Sequence, residues 1–199
     1  CMGSGTLFSV RFGERDDDTL RESLCASFVF IAFVTVLLNI LSYVALDALR
    51  VFLRVPDEVW GDMRSYLFVI FMGIPAVFLY NYFASFLRAI GNSVIPLVFL
   101  AASAVLNIGL DLWFVIGLGR GVAGAAKATV IAQYLSGIGI AAYTLVRFPK
   151  ARSIWRLRCL RRERIREIVS FSSLTCVQQS VMNLGILMVQ GLVNSFGSV

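Results

Sequence analysis

There is no histidine anywhere in this chain. The side chain that most often serves as general base or metal ligand near neutral pH is therefore missing, and with it HExxH chemistry. Cysteine is scarce as well. Cys1, Cys25, Cys159 and Cys176 show no CxxC spacing, so neither a zinc site nor a disulfide framework is indicated, and small polarizable filler is the plain role for them. There is no GxSxG, which removes the usual serine-hydrolase elbow. Charge is the third shortage: 15% of residues are charged, against roughly 25% in a soluble domain.

Apolar residues fill the space that charge leaves. The chain is 58% hydrophobic with a mean hydropathy of +0.81. Five runs stand out: Leu24 to Leu46, Tyr66 to Leu87, Ser93 to Gly119, Val122 to Val146 and Ile168 to Val199. The first, second and fifth hold no charged residue, the third only Asp111 and the fourth only Lys127. At ~1.5 Å per helical residue each run is long enough to cross a hydrocarbon core of ~30 Å. The fold class this predicts is an all-α polytopic membrane protein, with helices over about 22–46, 62–87, 93–117, 121–146 and 168–199.

Asp111 is the conspicuous residue in those runs. An Asp near the middle of a membrane helix costs roughly 2.5 to 3.5 kcal/mol, so it faces a partner or a polar cavity rather than lipid. Ser103, Asn107 and Asp111 recur every four residues and share one helix face.

Other helices carry stripes too. In the second run, Tyr66, Asn81, Ser85 and Arg88 fall within about 100° of one another. Pro75 in that helix removes a backbone donor and frees the carbonyl of Phe71, so a kink is expected there. For Asn81 alone the plain reading is an interhelical hydrogen bond. In the fourth run Thr129, Gln133 and Ser136 share a face, whereas Lys127 points away and lies close enough to the helix end to snorkel. Gly121, Gly124, Ala125, Ala128 and Ala132 allow close backbone approach. In the last run Gln179, Asn183, Gln190 and Asn194 lie in one arc of about 60°, the pattern of a cavity lining. The helix over 22–46, with Asn39 as its one amide, reads as scaffold.

The net charge of +6 points away from nucleic acid once the cations are located. Nine of the eighteen Lys and Arg lie between Arg147 and Glu167, where only Phe148 and Trp155 interleave, too few aromatics for a base-stacking platform. Placing this stretch in the cytoplasm puts the Arg11–Arg21 loop and the RAIGNS turn on the same side. That side then holds thirteen cations against five (Arg50, Arg54, Arg64, Arg120, Lys127), as the positive-inside rule requires. The stretch 148–167 reads as a cytoplasmic linker touching anionic lipid heads, and Arg11–Arg21 as a solvated turn. Asp47–Arg64 forms an outside connection with Pro56 as turn former and Trp60 at headgroup level. The opening CMGSGTLFSV reads as the tail of a truncated helix, and the closing run ends without a polar exit.

GIPAVFLYNYFASFLRAIGNSVIPL, followed by LNIGLDLWFVIGLGRGVAGAAKATVIAQ and QQSVMNLGILMVQGLVNSFGS, resembles the bacterial multidrug and toxic compound extrusion (MATE) transporters over nearly the whole chain. The resemblance implies twelve helices in two six-helix lobes, with cationic and often aromatic compounds exported against Na⁺ or H⁺. It implies a segment from the end of the second helix to the seventh: N-lobe at 1–147, inter-lobe linker at 148–167 and the start of the C-lobe at 168–199. By the family's pattern Asp111, Asn107 and Thr129 match an N-lobe cation site, a Na⁺ site in some members, completed by an acid on the first helix. Asn81 and Tyr66 match positions that line the drug cavity, to which the amide arc adds Gln179 and Asn183. The sequence departs from some members at Ala84 and Ala104, and its seventh helix has no acid.

A carboxylate in a poorly solvated cavity can hold a proton near neutral pH, and oxygens beside it can instead ligate a hard cation. The expected activity is a cation-coupled antiporter of a multi-pass cell membrane protein, with no enzymatic step, no cofactor beyond the coupling ion, and a monomer as the full-length form. A lipid-linked oligosaccharide flippase of similar fold is the nearest alternative, for which Arg88 and Lys127 are too few and too peripheral. An intramembrane aspartyl enzyme needs two carboxylates where only Asp111 stands. A non-transporting assembly protein would use the polar stripes for packing alone.

Overall fold

The structure is a computed structural model that describes residues 2–14, 17–46, 57–149, 151 and 162–195. Pro56, Trp155, Cys1, Cys159 and the centre of the basic linker lie outside the described residues. The described residues form seven α-helices: α1 (Met2–Gly13), α2 (Asp17–Val44), α3 (Asp57–Met72), α4 (Ile74–Ala89), α5 (Val94–Asp111), α6 (Gly121–Arg147) and α7 (Arg162–Ser195). A π-helical segment, Leu112–Gly117, continues α5. No β-strand occurs among the described residues.

Among the described residues four stretches are long and apolar enough to cross a membrane: Asp18–Val44, Met63–Ala89, Val94–Gly117 and Gly121–Arg147. The chain is therefore a multi-pass helical membrane protein. The fifth hydrophobic run lies in α7, which at 34 residues is the longest helix among the described residues. Exposed Val94, Leu97, Val98, Val105 and Ile108 give α5 an outward apolar surface, which water would penalise and lipid does not.

The second run is two helices, not one. α3 stops at Met72, Gly73 makes the turn and α4 restarts with Pro75 in its first turn, where a missing N–H costs least. The Phe71 carbonyl that Pro75 strands accepts a hydrogen bond from Asn39 Nδ2 on α2 at 2.6 Å. Met72 O, beside it, accepts from Tyr134 OH on α6 at 2.9 Å, and Phe68 O from Tyr43 OH at 3.0 Å. The helix over 22–46 is thus more than scaffold: its amide closes the break in its neighbour.

Helix α6 is the central element, running along α3, α4, α5 and the π segment. Its small residues permit this. A Cβ at Gly137 would stand 2.7 Å from Ala76 O, and one at Gly124 3.2 Å from Phe114 O. The core gathers where α1, α2 and α4 meet. Tyr82 is fully buried there, edge-on to Phe8 (5.9 Å), Phe28 (5.1 Å) and Phe83 (5.3 Å), and its hydroxyl donates to Leu24 O at 2.6 Å.

Three chain turns meet at one end of the bundle. Phe12, Leu20, Phe86, Ile90, Phe148 and Pro149 line a shared apolar hollow of 200 Å³, and Phe86 meets Phe148 edge-on at 6.1 Å. The α1–α2 turn, the α4–α5 turn with its left-handed Gly91 (φ 83°), and the exit of α6 therefore lie together. The stretch around Arg11 is not simply a solvated turn. It is mostly helical, and Arg11 bridges Glu14 (2.8 Å) and Glu167 on α7, a partner 156 residues away. The Glu167 hydrogen bond, then that of Glu14, holds the Arg11 pKa above its ordinary value and keeps the guanidinium charged.

Candidate functional site

The polar stripes read from sequence converge. A cavity of 410 Å³ opens between α4, α5 and α6, lined by Tyr80, Asn81, Arg88, Ser103, Gln133 and Ser136 among others. These include members of three stripes, each on its own helix. A second cavity of 470 Å³, between α1, α4 and α7, shares Asn81 and Arg88 and adds Thr6, Ser85, Gln178 and Gln179. Both volumes lie in the range of small-molecule sites, roughly 300–1,000 Å³.

Asn81 sits at the junction. Its Nδ2 donates to Val77 O of its own helix at 2.9 Å, so the interhelical bond that is the plain reading of a membrane asparagine is not what it makes. That bond leaves its amide oxygen free to serve a ligand. Gln179, on α7, lines the second cavity with it. Tyr66 is half-buried on α3 and Asn183 is exposed on α7, and neither lines these two cavities. Gln190 is also exposed.

Farther along α5 the stripe turns toward α6. Ser103 Oγ donates to Ala132 O (3.1 Å), while Asn107 Nδ2 donates to Thr129 Oγ1 (3.2 Å), which in turn donates to Ala125 O (3.0 Å). Ser136 Oγ answers from α6 to Phe99 O at 3.2 Å. The structure therefore brings Asn107 and Thr129 together. Asp111 stands one turn beyond, and its Oδ1 is buried with no hydrogen-bond partner among the described residues. A buried, unpaired carboxylate oxygen is costly and calls for a proton or a cation.

The donor set limits what is held there. Among the described residues no cluster of three His, Cys, Asp or Glu exists. Asp111 and the free amide oxygen of Asn107 supply carboxylate and amide oxygens, and Thr129 Oγ1, which donates once and accepts once, keeps one lone pair. These residues form part, not all, of an oxygen shell for a metal cation. The π segment begins directly after Asp111, and Trp113 stacks on Phe114 within it at 5.4 Å. Such local widening recurs at functional positions. Nothing in the sequence pattern signals it.

Sequence reasoning did not single out Tyr80, Thr6, Ser9, Thr175 or Gln178 as cavity residues. Tyr80 is hard to read because its hydroxyl reaches Pro96 O on α5 at 2.8 Å, an interhelical bond that no period reveals. Thr175 and Gln178 lie only about two and three turns from Glu167 in α7 and do not extend the amide arc. Arg88, which the sequence places among cations too few and too peripheral for a broad cationic cavity, lines both cavities, and like Lys127 it is exposed.

Comparison with known proteins agrees with this architecture. A family model described as MatE matches residues 1–113, more than half of the chain. The chain is similar to the probable multidrug resistance protein YpnP of Bacillus subtilis, 26% identical over 96% of this chain and 43% of the relative. It is similar to the multidrug export protein MepA of Staphylococcus aureus, 31% identical over 75% of this chain and 32% of the relative. Its fold superposes on the Vibrio cholerae MATE transporter VcmN in the bent form with a TM-score of 0.82, at 21% identity, covering 99% of this chain and 44% of that one. An inward-facing multidrug resistance MATE family transporter gives a TM-score of 0.77 at 25% identity, covering 85% of this chain and 39% of that one. The chain thus spans less than half the length of the relatives it matches. With four apolar spans, α6 at their centre and a family match over residues 1–113, the chain belongs to the MATE family of membrane transporters.

Proposed function

We propose that this chain is part of a cation-coupled multidrug efflux antiporter that exports cationic and aromatic compounds by alternating access, against Na⁺ or H⁺. The observation that carries the reading is the buried, unpartnered Oδ1 of Asp111, one turn from the Asn107–Thr129 pair. Asp111, Asn107 and Thr129 form the coupling site. The family's pattern adds a second acid from a first helix. Asn81 and Gln179 face the drug, with Tyr66 and Asn183 joining as the lobes rearrange.

Neutralising Asp111 removes the cost of a bare charge and favours a different packing of α5 and α6. Residues 1–147 form most of one lobe, the stretch 148–167 links it on the cytoplasmic side, and α7 begins the other. The break at Gly73 gives α3 and α4 a place to bend.

The test is Asp111→Asn in the full-length gene product, with ethidium efflux followed in cells under imposed Na⁺ or pH gradients. Efflux driven by one gradient is expected in the wild type and is lost in the variant. Undiminished efflux by a normally expressed variant would sink the proposal.

A further inference from the structure

Arg88 is the only charged side chain lining either cavity, and no carboxylate lines either among the described residues. Its surroundings are hydroxyls and amides: Asn81, Ser85, Ser103, Gln133 and Gln179. Of its five N–H donors, Nε–H is committed to Ala84 O one turn back at 3.2 Å. The terminal guanidinium edge makes no ion pair among the described residues. Helices α1 and α7 wall the second cavity, and the acid on α7 nearest to that wall in sequence, Glu167, is engaged by Arg11. The fold therefore neutralises one arginine at this end and leaves the other facing the space that a ligand would fill.

A lining with one fixed positive charge and no negative one repels a simple organic cation. A planar guanidinium edge, by contrast, binds a carboxylate or phosphate by donating two parallel hydrogen bonds. Gln133 lines the first cavity with it and Gln179 the second, each carrying amide donors for remaining oxygen lone pairs. We infer that the two cavities joined at Asn81 and Arg88 form a binding site for an oxyanion-bearing amphiphile, with Arg88 as the residue that selects the anionic group. The inference rests on the efflux reading and narrows it: the cationic aromatic compounds handled carry an acid group as well. A soluble carboxylate and an anionic lipid headgroup offer the same chemistry.

The test uses the full-length gene product in nanodiscs and two fluorescent probes, rhodamine B and its ethyl ester. They share the xanthylium cation and differ in the carboxylate, so anisotropy titrations isolate the contribution of the acid group. In phosphatidylcholine discs the wild type is expected to bind the acid more tightly than the ester. Arg88→Gln is expected to weaken the acid about tenfold and leave the ester within about twofold, and Arg88→Lys to recover part of the loss, since a point charge lacks the bidentate fork. Repeating the titration with phosphatidylglycerol in the discs separates the sources. If the lipid phosphate occupies Arg88, the wild type loses acid affinity in those discs and Arg88→Gln is indifferent to them; if it does not, the wild type is unchanged.

Equal affinity of the wild type for acid and ester, or a loss in Arg88→Gln that is equal for both probes, would overturn the inference. A merely structural arginine gives the second pattern. Failure of the efflux reading looks different: the ester then neither binds nor leaves cells, whatever stands at position 88.

Discussion

Asn39 Nδ2 lies 2.6 Å from the carbonyl oxygen of Phe71, the acceptor that Pro75 deprives of its helical donor. A proline break in a membrane helix leaves a polar group with no water to satisfy it, and here the neighbouring helix supplies the donor from its single amide. The break and the amide form one device written in two places in the sequence.

Asn39→Ala is expected to lower stability by about 1 kcal/mol, the usual size of an interhelical hydrogen bond in a membrane. In a Pro75→Ala background the same change should cost less, because the restored N–H of residue 75 returns to Phe71 O. Thermal unfolding of the purified full-length protein and its double-mutant cycle measure both values. Equal costs in the two backgrounds would show that Asn39 acts elsewhere.

Glycine at 137 is dictated by contact rather than by conformation. A Cβ there would meet the Ala76 carbonyl at 2.7 Å, which only a backbone shift relieves. At Gly73 the nearest atom, at 2.6 Å, is Oε1 of the Gln133 side chain, which has other rotamers available. Gly137→Ala should therefore destabilise by about 1–3 kcal/mol, and by more than Gly73→Ala. The ordering of the two melting temperatures decides it.

Arg11 and Glu167 are each about one-fifth exposed, at 23% and 22%, so their attraction is screened but not lost. A double-mutant cycle on Arg11→Ala and Glu167→Ala is expected to give a coupling of about 0.5–1 kcal/mol, shrinking at high salt as surface pairs do. A coupling unchanged by salt would mean that the pair is shielded from solvent.

Thr129 holds Asn107 by accepting from its Nδ2. Thr129→Val keeps the shape and removes the acceptor, leaving an amide donor unpaired at a cost of about 1–3 kcal/mol. Ion-driven ethidium efflux should fall in Thr129→Val and return in Thr129→Ser, with expression similar in all three. Efflux equal to wild type in Thr129→Val would remove Thr129 from the coupling site.

Much of the site was legible as helical faces. The stripes through Asn81 and Arg88, through Ser103 and Asn107, and through Gln133 and Ser136 follow from a period of 3.6 residues, and members of all three meet in one cavity. What a period does not carry is which neighbour a side chain reaches. Asn81 turned to its own helix, Ser103 to the backbone of α6, and Tyr80 to Pro96 across a helix gap. The break at Gly73 was half legible: Pro75 announced it, but its repair by Asn39, Tyr43 and Tyr134 depends on how three helices lie together. The π segment after Asp111 had no sequence signal.

The sequence by itself determined that this is a helical membrane protein, where its apolar spans run, and that an acid within one of them needs a partner. Those conclusions follow from hydropathy and helical period, which are local properties of the chain. Only the tertiary structure decided that α7 leans on α1 through an Arg11–Glu167 bridge, that a broken helix is closed by its neighbours, and that Arg88 lines two cavities. The reason is physical: a side chain's partner across a helix interface is set by packing between distant segments, and no local pattern encodes that geometry.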